Sequence, residues 1–150
     1  MEICVECKPD AILVESLGFK GPVHMKGNAK VTKYVCEHDG MTGLQDEEPF
    51  SRPPRLLARF KERSRKHDAI LMEWKDRRII ILCPRLEEWV LKTAQSEGVN
   101  PEERRFNLYR DPERLKDVIN LRLDNFKRLS SALVDSERMR LLQTWLAGKD

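Results

Sequence analysis

Carboxylates stand at the ends of three apolar runs in this 150-residue chain, where a metal ion or a phosphate could use them. Glu6 closes Ile3-Cys4-Val5, and Asp46 and Glu48 follow Met41-Thr42-Gly43-Leu44-Gln45. Glu87 and Glu88 come just after Pro84, which ends RRIIILC (77–83), the most apolar run in the sequence. Acids brought together repel one another, and a divalent cation is the usual compensation. Oxygen donors without histidine favour Mg²⁺ or Mn²⁺ over zinc, and such ions bridge carboxylates to phosphate oxygens. One small cationic loop, Lys26-Gly27-Asn28, supplies N–H groups and a charge that could hold a phosphate, and Arg52 offers a second cation. This pattern points to metal-dependent chemistry on a phosphoryl group or phosphodiester.

For that chemistry the acids must meet, which requires parallel strands ending on one edge. The spacing predicts them. A strand over 3–6 leads into a helix that Pro9 and Asp10 open and Gly18 stops. A short strand over 21–25, a helix over 29–38 and a strand over 41–46 follow, with short loops: the βαβ pattern of a parallel sheet. After the polar, proline-rich stretch EEPFSRPP, residues 54–67 read as an amphipathic basic helix with Leu56, Leu57 and Phe60 on one side. Residues 68–74 and 77–83 read as a hairpin around Lys75-Asp76, followed by a helix over 85–98. The remainder is helical by its spacing: Leu115, Val118 and Ile119, then Phe126, Leu129 and Leu133, then a last helix that Ser136 caps. The expected architecture is α/β, with a mostly parallel central sheet covered by helices on both faces (1–98) and a helical C-terminal extension on the same domain (99–150). In such sheets ligands bind at the carboxyl edge of the strands, where the connections switch direction.

Composition sets bounds on the partners. The net charge of +3 permits a polyanion without demanding one, because 28 basic and 25 acidic residues are mixed along most of the chain. No apolar run reaches the roughly 18 residues of a membrane span, and no basic-then-apolar leader opens the sequence, so the expected location is the cytoplasm with no membrane partner.

ICVECKPDAILVESLGF resembles the first motif of the Toprim fold, found in topoisomerases, primases and OLD-family and related small nucleases: an apolar strand ending in glutamate that runs into a helix ending in glycine. GLQDEEP resembles the second, an apolar strand ending in Asp-x-Asp, here Asp46-x-Glu48, and PRLEEWVL is similar to an element after a later strand in small stand-alone relatives. The resemblance covers residues 2 to about 95. It implies Glu6 as general acid/base or metal ligand, Asp46 and Glu48 as Mg²⁺ ligands, Glu87 as a further acidic contributor, and a nuclease-like reaction on a nucleic acid. Cys7 stands where glycine is frequent, and Glu48 replaces the second aspartate and reaches one methylene further.

Two other readings compete. One keeps the fold without catalysis, as a binding or interaction module whose C-terminal helices contact a partner or a second copy. The other is a small zinc-stabilised domain on Cys4, Cys7, Cys36 and His38. Against zinc, Cys4 falls inside the first strand and one residue separates the second pair, where two to four are usual. Cys4, Cys36 and Cys83 are then expected to be buried thiols, and Trp89 and Trp145 core residues.

Overall fold

The structure, a computed structural model, describes residues 2–150. Strands β1 (Ile3–Val5), β2 (Val23–His24), β3 (Thr42–Asp46), β4 (Lys61–Lys66), β5 (Ala69–Trp74) and β6 (Arg77–Leu82) form one sheet in the order β2-β1-β3-β6-β5-β4. Pairs β1·β2, β1·β3 and β3·β6 are parallel, and the antiparallel pairs β5·β6 and β4·β5 leave β5 alone running against the rest.

Residues alternate between two apolar layers, as period-2 strands require. Ile3, Val5, Leu44, Leu71, Ile80 and Leu82 face one layer, and Cys4, Ile70, Ile79 and Ile81 face the other. Helix α1 (Lys8–Ser16) joins β1 to β2 over the first face, and α2 (Asn28–Glu37) returns to β3 over the second. Connections from β1 and β3 therefore leave in opposite directions, and the crevice between these two strands is the switch point of the sheet. Gly43 on β3 makes room for α2: a Cβ there would lie 2.8 Å from Val35 Cγ2 and 2.9 Å from Val31 Cγ1.

Helices α3 (Leu86–Ser96), α4 (Pro112–Val118), α5 (Leu123–Ala132) and α6 (Glu137–Leu146) complete six α-helices among the described residues. Leu115, Phe126, Leu129, Leu142 and Trp145 share one buried cluster with Leu13 and Val14 of α1 and Trp89 of α3. These apolar side chains of the C-terminal helices are buried within the protomer. Ser136 caps α6 by accepting the Met139 N–H at 3.1 Å. Arg138, 6% exposed, ties α6 to the rest. Its guanidinium donates to Thr93 Oγ1 (2.7 Å), Asp68 Oδ2 (2.9 Å) and the Trp89 carbonyl (3.1 Å).

The basic helix expected over 54–67 is not formed. Arg55–Arg59 make a 3₁₀ turn, Phe60 drops into the second apolar layer, and Lys61–Lys66 form β4, exposed at every position. Arg, Lys and Glu are good helix formers, so local preference pointed the wrong way. Pairing with β5 overrides it, helped by His67 and Asp68, whose φ values of 53° and 58° give the tight hairpin turn that right-twisted strands require. Cys4 and Cys36 are buried as expected, whereas Cys83 is only half-buried. No helix among the described residues is long and apolar enough to cross a membrane.

Candidate metal centre

Glu6 follows β1 directly, at the turn into α1, and Asp46 is the last residue of the neighbouring strand β3. Their meeting follows from parallel pairing, with Ile3 opposite Thr42 and Val5 opposite Leu44. The backbone locks them: the Asp46 N–H donates to Glu6 Oε1 at 2.7 Å, and the Leu86 N–H, at the first turn of α3, donates to Asp46 Oδ1 at 3.0 Å. Asp46 thus caps a helix whose own flanking residue, Arg85, supplies no side-chain cap.

Glu48 reaches the same point by an unusual route. After β3 the chain keeps bonding to the end of β6 and the residues just past it, with the Glu47 N–H donating to the Leu82 carbonyl (3.0 Å) and the Glu48 N–H to the Pro84 carbonyl (3.2 Å). Glu48 itself has φ 50°, a left-handed conformation that costs a non-glycine residue on the order of 1–3 kcal/mol and clusters at functional sites. The outcome is that one carboxylate oxygen each from Glu6, Asp46 and Glu48 lies within 4.8 Å of the others, and no other such group of His, Cys, Asp or Glu occurs among the described residues. The cysteines and His38 of the zinc reading are not brought together.

The acids are also withdrawn from water. Burial lifts Glu6 to about 7, against the lowering effect of the Asp46 N–H and with the charges of Glu48 and Glu87 adding to the rise. Asp46 is raised well above the usual carboxylate range, first by burial and then by Asp10, Glu6 and Glu87. Glu87, in the first turn of α3, is raised by burial as well, so it stands in the field of the cluster although it is not one of the three converging groups.

Asp10, which in the sequence opens α1 and is better explained by the helix dipole than by a metal, stands beside the cluster. It is 1% exposed, and burial and the Glu6 charge raise it. Its Oδ2 accepts a weak bond from the Cys7 thiol at 3.3 Å while its Oδ1 has no partner. A carboxylate four residues beyond Glu6, on the otherwise apolar start of a helix, was the available signal.

The remaining expected residues fall around this centre. Lys26 lines a groove of about 400 Å³ with Glu6, Lys8, His24 and Asn120. Gly27, at φ 88°, precedes α2, and Asn28 is the first residue of that helix. Arg52 is exposed on the loop after Glu48. On the other side a groove of about 530 Å³ runs past Glu48, Phe50, Pro84, Arg85 and Lys116. Glu88 is neutralised by Arg85 at 2.7 Å.

Comparison of the chain with protein-family models, with curated proteins and with solved structures found no match. The chemistry of the site rests on its geometry. Ligands on an octahedral Mg²⁺ at about 2.1 Å stand roughly 3.0 Å apart when adjacent and 4.2 Å when opposite, so oxygens within 4.8 Å of one another share one ion after closing by up to about an ångström each. The donor set is all oxygen and carries excess negative charge, which fits a hard divalent cation.

A pH dependence follows. Glu6 has a folded-state pKa of about 7, and Asp46 and Asp10 are raised too, whereas in the unfolded chain such groups ionise near ~4. Between those values the folded state binds more protons, so stability is greatest below the unfolded pKa and is lost as pH rises through the folded one. Cation-free protein is expected to melt at lower temperature at pH 8 than at pH 5, Glu6 alone contributing on the order of 3 kcal/mol. Asp68, lowered by Lys92 and Arg138, and Glu113, lowered by Arg85, act in the opposite sense only below about pH 4. Melting curves in EDTA across this range, repeated with saturating Mn²⁺, check it; with the ion the slope should flatten.

Proposed function

We propose that the protein is a divalent-cation-dependent phosphodiesterase of the Toprim-like, nuclease-like kind, acting on a nucleic acid. The observation that carries this reading is the convergence of Glu6, Asp46 and Glu48 at the switch point of a mostly parallel sheet. Its Toprim-like character is supported by a glutamate after β1 and an Asp-x-Glu pair ending the adjacent strand β3.

Asp46 and Glu48, with Glu6, would hold Mg²⁺ or Mn²⁺, which when bound neutralises charge on the reacting phosphoryl oxygens. Asp46 is fixed by the Leu86 N–H, and the hydrogen bonds of Glu47 and Glu48 to the end of β6 and just past it set the backbone from which Glu48 reaches in. In the cation-free protein burial holds Glu6 near a neutral pKa, so its carboxylate can take up or release a proton, as general acid/base catalysis requires, until a bound ion displaces that proton. Lys26 and Lys8 stand in the groove beside it and can neutralise phosphate there.

One observation favours a second reading, a cation-binding module without chemistry: Glu6 Oε1, the oxygen nearest Asp46, is already engaged by a backbone N–H. Hydrolysis of a labelled single-stranded oligonucleotide with Mg²⁺ or Mn²⁺ separates the two. Wild-type protein should cleave, and Glu6→Gln should lose about 10²–10⁴-fold in rate. A cation that raises the melting temperature without any cleavage would leave the module reading standing.

A further inference from the structure

The molecule's positive charge is concentrated in one segment. Seven of the 28 Lys and Arg residues lie between 52 and 66, against one of the 25 Asp and Glu, which leaves 21 basic and 24 acidic residues elsewhere. The segment ends in β4, the outer strand of the sheet, exposed at every position and with one backbone edge unpaired. Charges on an outer strand protect it from pairing with another chain. Charges of mixed sign would serve equally, and Arg52 and Arg55 precede the strand, so protection does not explain the excess of one sign.

The register aims this strand at the carboxylates. Lys66 pairs with Ala69, Ala69 with Leu82 and Leu82 with Asp46, so Lys66 ends the row that begins at Asp46. Three strand spacings put the two backbones about 14 Å apart on the same edge. Arg65 feels the charge of Glu47. Of the acids nearby, Glu73 bridges Arg63 at 3.5 Å and Glu62 pairs with Arg65 in an exposed bridge at 2.7 Å, while Asp68 is already neutralised by Lys92 (2.8 Å) and Arg138 (2.9 Å). On the loop that leads from the carboxylates toward this basic segment, Phe50 stands wholly exposed, lining the groove that holds Glu48. A globule gains nothing from a large aromatic ring in water, whereas a base stacked on such a ring is worth about 1–3 kcal/mol.

We propose that the loop carrying Phe50 and the edge strand β4 form a track for single-stranded nucleic acid, with its backbone along Arg63, Arg65 and Lys66 and a base stacked on Phe50. Delivery of a phosphate to the carboxylates rests on the function proposed above; binding along the track does not.

The test is fluorescence anisotropy of a labelled strand of about 20 thymidines, longer than the roughly 4–16 nucleotides such surfaces cover, in EDTA and at salt from about 50 to 200 mM. Wild-type protein should bind with a log–log salt slope near −2, from about 0.7 for each of the three phosphates that Arg63, Arg65 and Lys66 neutralise. The exposed triple variant Arg63→Gln/Arg65→Gln/Lys66→Gln should lose about 2 from that slope and at least tenfold in affinity at low salt. Phe50→Ala should weaken the single strand roughly 5- to 100-fold and leave duplex binding unchanged. Absence of wild-type binding, an unchanged slope in the triple variant, or preference for polyglutamate over the oligonucleotide would overturn the proposal. Asp46→Asn keeps the track, so it should bind the strand at least as well as wild type in EDTA. A protein that binds the strand this way and ignores Mn²⁺ would retain the track and lose only the metal centre.

Discussion

Replacing Asp46 with asparagine is expected to stabilise the cation-free protein and to abolish its response to Mn²⁺. The amide oxygen of the new side chain can still accept the Leu86 N–H, so the cap on α3 survives. What disappears is an acid whose burial beside Asp10, Glu6 and Glu87 disfavours its charge. Relief of that repulsion should add about 1–3 kcal/mol at pH 8, or roughly 5 °C in melting temperature for a chain of this size. In wild-type protein, Mn²⁺ at 100 times its dissociation constant should add about 2.7 kcal/mol, because an ion that binds only the native state stabilises it. The variant should show little of that gain. Opposite signs in one substitution, more stable without the ion and unresponsive with it, separate a binding site from a structural carboxylate, whose loss would only destabilise.

Arg138→Ala is expected to be a strongly destabilising change outside the acid cluster. Its guanidinium is buried and satisfied from three directions, by Thr93, Asp68 and the Trp89 carbonyl, and it lies 4.8 Å over the Trp89 ring. Truncation opens a void against Trp89 and leaves Asp68 with Lys92 alone, while the Thr93 hydroxyl keeps its own bond to the Trp89 carbonyl at 2.8 Å. Losing this packing, together with a charge pair whose Asp68 partner is partly exposed and still held by Lys92, costs about 2–3 kcal/mol, roughly 7 °C here. Chemical denaturation should show a lower midpoint with an unchanged slope, since α6 and the sheet share one core and unfold together. A change in slope, with α6 melting first, would contradict that shared core.

The two cases differ in how far the sequence displayed them. Glu6 and Asp46 could be placed because apolar runs mark parallel strands, and a carboxylate closing such a run must lie at the carboxyl edge. Arg138 gave no sign, since its partners lie 45, 49 and 70 residues away and its local surroundings are those of any exposed helix. Strand β4 was misread because helix propensity is a local property, and its strand state comes from β5 and the turn at His67-Asp68. The left-handed Glu48 was equally hidden, for it depends on hydrogen bonds to the end of β6 and just past it. Asp10 was visible as a residue but not as a member of the cluster. Its position suits a helix dipole, and only the fold reveals its unpartnered oxygen beside Glu6.

The central claim is that Glu6, Asp46 and Glu48 hold one divalent cation, and calorimetric titration of Mn²⁺ at neutral pH tests it most directly. The ion must displace protons that burial retains on Glu6 and Asp46, so the heat should depend on the ionisation enthalpy of the buffer. The expected result is one saturable site with proton release, absent from Asp46→Asn. A folded wild-type protein that shows no saturable heat, or an Asp46→Asn variant that binds like wild type, would contradict the account.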